Sequence, residues 1–271
     1  MTTFQKVIKY LAMAFAIFLI VTILGGILSA IGLFGGIFTG DAVTDEMKSY
    51  SVNGIIQDLD IEIHAADLSI KEGDTFSVQS NLKHLKVEVK DGTLHIEETE
   101  KRFGKYEGAL LTVYVPAGTV FEQMRLITGA GRLTVESLSA KEIHLVLGAG
   151  DGSIGTLIAT ESAKIDGGTG RITVSGGSLR NLDLDMGVGQ LNLRSALRGD
   201  CRLDMGIGAS NLTLIGTKDD YKLDLEKGLG SISIDGEDGS HYGGSGNGSH
   251  KVEVDGGIGA INIRFEKENA E

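Results

Sequence analysis

Beyond residue 50 apolar and polar positions alternate along most of the chain, and Gly-x-Gly interrupts the alternation at regular intervals. The stretch Leu182-Asp-Leu-Asp-Met-Gly-Val-Gly-Gln-Leu-Asn-Leu193 is followed by Leu203-Asp-Met-Gly-Ile-Gly-Ala-Ser-Asn-Leu-Thr-Leu214. A period of two marks strands with one face turned inward, and it excludes the 3.6-residue period of a helix. The second glycines fall at Gly131, Gly150, Gly170, Gly189, Gly208, Gly230 and Gly259, in steps of 19, 20, 19, 19, 22 and 29 residues. A period near twenty predicts an all-β, single-stranded β-solenoid, β-helix-like, in which each coil is strand, glycine corner, strand. Glycine suits such a corner because it takes positive φ without penalty and lets neighbouring coils approach.

Aligning the units on the second glycine exposes the columns of the stack. Seven places before it stand Met124, Ile143, Ala163, Leu182, Cys201, Leu223 and Val252; five before it stand Leu126, Leu145, Ile165, Leu184, Leu203, Leu225 and Val254. Both columns are predicted to face the core. Beyond the corner, three places after the glycine, Thr134, Ser153, Thr173, Asn192, Ser233 and Asn262 form a polar column. Thr213 is placed in it with a step of five, and the column is expected to hydrogen-bond along the stack.

Four places before the glycine, the last five units carry Asp166, Asp185, Asp204, Glu226 and Asp255. Stacked strands lie about 4.8 Å apart, so a row of like charges is self-repelling. This acidic row is the candidate interaction face, for a cation or a basic partner; the competing reading is that the carboxylates cap corner amides or keep the surface soluble.

Ahead of the strands, residues 10–38 are uncharged, 29 residues rich in Leu, Ile, Phe, Ala and Gly. About 20 suffice to span a bilayer, and a cleaved signal has a shorter apolar core. Lys6 and Lys9 precede the segment and Asp41, Asp45 and Glu46 follow it, which predicts a cytoplasmic N-terminus and an extracytoplasmic body. Gly32 and Gly36, spaced as Gly-x-x-x-Gly, are candidates for helix packing in the membrane. The predicted organisation is a cytoplasmic start at 1–9, a transmembrane helix at 10–38, a linker at 39–49, a β-solenoid at 50–265 and a charged tail at 266–271. Within the solenoid, 50–121 are irregular first coils that close the open end, 122–265 are the repeats, and 236–250 form a Gly/Ser loop. Among the irregular strands, Asp91-Gly92 between Leu85–Val89 and Leu94–Ile96 predicts a tight turn.

The chain carries a formal charge of −12, and since the first forty residues hold only Lys6 and Lys9, the remainder carries −14, which speaks against nucleic acid as a partner. Forty glycines, one proline and no tryptophan suit tight stacked turns, and a single cysteine, Cys201, excludes an internal disulfide. Gly148-Ala-Gly-Asp-Gly152 is not a dinucleotide loop, because a strand and not a helix follows it. Gly167-Gly-Thr-Gly170 and Gly256-Gly-Ile-Gly259 lack the aspartate of a calcium-binding nonapeptide turn, with Ile172 and Ile261 in its place. His241 and His250 flank a Gly/Ser stretch that fixes no metal geometry. No cofactor, metal site or catalytic residue is expected.

Leu111-Thr-Val-Tyr-Val-Pro-Ala-Gly118, leading by one strand into Gly129-Ala-Gly-Arg-Leu-Thr-Val135, resembles the bacterial "putative adhesin" β-strand-repeat family over residues 50–265. The resemblance implies a domain without agreed catalytic residues, often behind a membrane segment, and similar to LiaG-like membrane-anchored proteins of cell-envelope stress systems. The expected function is a membrane-anchored, non-catalytic binding or scaffold module at the cell envelope, facing an envelope protein or wall polymer. A polysaccharide-active β-helix enzyme and a structural spacer are the alternatives. The enzyme would need paired carboxylates in a groove and aromatic platforms, of which this sequence, 6% aromatic, has few.

Overall fold

The computed structural model describes residues 42–99, 106–239 and 248–267. The predicted transmembrane helix with Gly32 and Gly36, the cytoplasmic start, the centre of the Gly/Ser loop with His241, and the end of the charged tail lie outside the described residues. Among the described residues no helix is long and apolar enough to cross a membrane. They are all-β apart from one short 3-10 turn, Lys218–Asp220.

Among the described residues, fifteen strands join in one hydrogen-bonded sheet. Through the repeats as far as Ile215, each pass of the chain lies parallel on the one before it, in the register set by the sequence period. Leu182–Arg198 pairs on one side with residues 163–174 and on the other with Asp200–Ile215, so that Gly170, Gly189 and Gly208 fall in line. The inward columns are buried as expected, Leu225 alone being half-covered. Cys201 is buried between Leu182 and Val252, and burial raises its thiol pKa.

The corner geometry explains the glycines. Gly208 has φ 145°, and a Cβ there would strike the carbonyl oxygen of Gly189 in the neighbouring pass. Any side chain larger than hydrogen would break the strand spacing of about 4.8 Å that the ladder requires.

Three expectations are corrected. First, the passes do not stack in sequence order at the C-terminal end. His250–Glu266 pairs with Asp200–Ile215 through Gly208 and Gly259, and on its other edge with Tyr221–Glu226 and Leu229–Ile234 through Asp255 with Glu226 and Gly259 with Gly230. The last pass in the chain thus sits inside the pass before it, and inserting it pairs both of its edges.

Second, Thr213 does not belong to the polar column. Its register partners are Arg194 and Arg264, and Asn211 takes the place beside Asn192 and Asn262. The column does hydrogen-bond along the stack. Asn211 Nδ2 donates to Asn192 Oδ1 at 2.9 Å, Asn262 Nδ2 donates to Asn211 Oδ1 at 3.0 Å, and Ser233 Oγ donates to Asn262 Oδ1 at 2.8 Å.

Third, the N-terminal region is not a set of irregular coils alone. Asp58–Ala65 continues the parallel columns, with Leu59 beside Met124 and Leu94. Ser77–Leu82, however, runs antiparallel to Leu110–Pro116 and to Val43–Ser51, a strand that begins inside the predicted linker. Val43–Ser51 is an edge strand with mostly exposed side chains, so no hydrophobic alternation announces it. The Asp91-Gly92 turn forms as predicted, with φ of 50° and 82°, joining Leu85–Lys90 to Thr93–Glu98.

Candidate functional site

The acidic row is real, and its spatial order is Asp166, Asp185, Asp204, Asp255, Glu226. Residues two apart on a strand share a face, so a second row, six places before each glycine, lies beside it. That row reads Arg125, His144, Lys164, Asp183, Arg202, Glu253 and Asp224 in the order of the stack.

Two cations of the second row, Lys164 and Arg202, pair with members of the first, while Asp183, Glu253 and Asp224 add further negative charge to the face. Asp166 Oδ2 is 3.2 Å from His144 Nε2, and Lys164 Nζ is 3.6 Å from its other oxygen. Arg202 reaches Asp255 at 2.6 Å, Asp204 at 3.2 Å and Glu253 at 3.4 Å. At the N-terminal end of the face, Arg125 bridges Asp60 at 2.8 Å and Glu62 at 2.9 Å, with His95 Nδ1 3.2 Å from Asp60. Asp166, Asp204 and Asp255 thus pair with Lys164 and Arg202 on their own face.

Asp185 is the least compensated member. Its cross-strand neighbours are Asp166 and Asp204, and among the described residues no basic side chain lies within ion-pair distance of it. Some loss of hydration, followed by the charges of Asp183, Asp204 and Asp166, raises its pKa. Desolvation pushes Asp204 upward too, but the hydrogen bonds from Arg202 and the neighbouring carboxyls outweigh it and hold Asp204 below the usual range. Asp255 is raised, by burial first and then by Asp204. Carboxylates one strand apart run in a line and do not converge: among the described residues, no group of three or more His, Cys, Asp or Glu is placed to hold a metal ion.

The sequence reading missed two features. Glu98 is buried, 3% exposed, and takes three donors: the His64 backbone N–H at 2.9 Å, His64 Nδ1 at 3.1 Å and the Tyr106 hydroxyl at 2.6 Å. It stands on the inward parity of Leu94 and Ile96, a polar residue in an apolar series, and that was its signal. The second is an apolar ridge along the glycine corners, where Val188, Ile207, Ile258 and Leu229 stack side by side and remain exposed.

A family model described as "Toastrack DUF4097" matches residues 56–239. Among solved structures, the chain is similar to a "putative adhesin" from Bacteroides fragilis, at 11% identity and a TM-score of 0.45, covering 83% of this chain and 100% of that one. It is also similar to a "putative cell adhesion protein" from Clostridium sporogenes, at 19% identity and 0.34, covering 83% and 100%. A "putative lipid binding protein" from Parabacteroides distasonis shares 16% identity at 0.43, covering 82% and 99%. Among curated proteins nothing matches.

Proposed function

The chain belongs to the Toastrack DUF4097 family, and from that footing we propose that it is a membrane-anchored β-solenoid acting as a non-catalytic binding or scaffold module at the bacterial cell envelope. The uncharged 29-residue segment is the anchor, and Lys6 and Lys9 against Asp41, Asp45 and Glu46 set the body outside the cytoplasm. The observation that carries the binding role is the registered outer face, where charged residues from successive passes line up in two adjacent rows instead of gathering around a cleft. An ordered, extended charge pattern on a stack of coils suits a partner that is itself extended, such as a wall polymer or the surface of an envelope protein.

The test is crosslinking in intact cells followed by recovery of the full-length protein, beside a version lacking residues 41–271. The reading expects one envelope protein or wall fraction whose recovery needs the body and is weakened by reversing Asp185 and Asp204. Recovery that is identical without the body sinks it. Externally added protease separates the anchoring from the binding: the body is digested in intact cells if it lies outside, and protected if it does not.

A further inference from the structure

We propose that the body pairs with a second copy of itself through the apolar ridge on its C-terminal glycine corners. The ridge is the residue between the two glycines of each unit. Its order in the stack is Val188, Ile207, Ile258, Leu229, at exposures of 46%, 42%, 38% and 44%. The corner itself does not ask for these side chains. The flanking glycines answer the close approach of neighbouring passes, whereas Ala130, Ala149 and Thr169 fill the same central place in the first three units. Large aliphatic groups are therefore confined to four adjacent passes and turned to water.

The residue after the second glycine follows the same division. It is Arg132, Asp151 and Arg171 in the first three units and Gln190, Ala209, Ala260 and Ser231 in the other four. These positions form a strip without charge, flanked at its Leu229 end by Lys227, on a chain of net charge −12. Four aliphatic side chains so exposed amount to roughly 300 Å² of apolar surface, the size at which a patch on a monomer is commonly functional.

Three properties select a second copy as the occupant. The ridge has the strand pitch of about 4.8 Å, and an identical stack presents apolar groups at that same pitch. Glycine troughs on both sides of the ridge, formed on one side by Gly187, Gly206, Gly257 and Gly228, give the partner's side chains somewhere to enter, so the strip is complementary to itself, as a twofold contact requires. Two acidic bodies repel over most of their surface, and the strip is a place where they meet without opposed charge. Its area is well under the roughly 800 Å² per partner of a standard interface, so the association is weak and concentration-dependent.

The experiment uses the full-length protein in detergent over a concentration series, carrying Ile207→Cys or, as control, Ala130→Cys, with a short bismaleimide. Cys201 is buried and supplies the blank. The expected result is a dimer band from Ile207→Cys that grows with concentration and is absent from Ala130→Cys. Adding Val188→Asp or, on another pass, Leu229→Asp abolishes it at an unchanged melting temperature. No band from Ile207→Cys, an equal band from Ala130→Cys, or a band indifferent to both aspartates overturns the proposal.

Discussion

The guanidinium of Arg194 forks onto the carboxylate of Glu266, with Nε 2.9 Å from Oε2 and the second nitrogen 2.7 Å from Oε1, joining residues 72 positions apart in sequence. Arg194 also donates to the Ser175 carbonyl at 3.1 Å, so one side chain links three passes. The paired charges raise the arginine pKa and lower that of Glu266. A lowered carboxylate pKa gives stability that is complete above the ordinary glutamate range and is lost as pH falls through the folded value. Glu266→Gln is expected to speed amide exchange in residues 250–266 at pH 7, and to leave exchange unchanged where Glu266 is already protonated. Exchange followed by mass spectrometry at both pH values checks this.

Gly208→Ala combines a disfavoured φ with a collision against the Gly189 carbonyl. A loss on the order of 3 kcal/mol is expected in urea unfolding. Ile207→Ala, one residue away and exposed, is expected to change stability by less than about 0.5 kcal/mol.

Asp185 has its pKa raised in the folded state. A raised carboxylate pKa means that folding is favoured below the unfolded pKa and penalised as pH rises through the folded one. Asp185→Asn is therefore expected to raise the melting temperature at pH 7 by about 1–2 °C. It should have no effect at pH 3, and the gain should shrink in high salt. A gain that is equal at pH 3 and pH 7 contradicts the electrostatic origin.

Glu98 holds three donors in the interior. Its removal strands them, so Glu98→Ala is expected to cost about 2–3 kcal/mol. Glu98→Gln, which keeps an acceptor, is expected to cost less. Chemical denaturation of the two variants ranks them.

The asparagine column contributes through shared side-chain bonds. Asn211→Ala removes the contacts at 2.9 and 3.0 Å to Asn192 and Asn262, and is expected to cost about 1 kcal/mol. Asn211→Asp keeps the shape but loses the donor, and should be worse at pH 7 than at pH 3.

Much of this is legible in the sequence because period two along a strand and period nineteen between strands are both written in residue types. They fix the parallel register, the buried columns and the acidic row. The stacking order is not written there. Asp204, Glu226 and Asp255 head similar patterns, and nothing in a repeated column says which of two candidates lies next to a third. The slip at Thr213 has a local cause. Ser210 fills the place that Leu191 and Ile261 hold in neighbouring passes; it is buried and donates to the Met205 sulfur at 3.0 Å, and a hydroxyl at an apolar position hides the register. The cations beside the acidic row were visible as Lys164 and Arg202, but they matter only once two residues of spacing is read as one shared face.

The insertion of His250–Glu266 between Asp200–Ile215 and the strands at 221–234 sets a folding order. Passes that lie on their immediate predecessors can add one at a time as the chain emerges. Tyr221–Glu226 and Leu229–Ile234 have no such option, because the strand they rest on is made after them. Leu229–Ile234 has a nearby partner in the two-residue strand Glu237–Asp238, and the parallel ladder of both segments is completed by His250–Glu266. Non-local parallel pairing of this kind raises contact order and so slows folding, and the seventeen-residue strand His250–Glu266 supplies it to two segments at once.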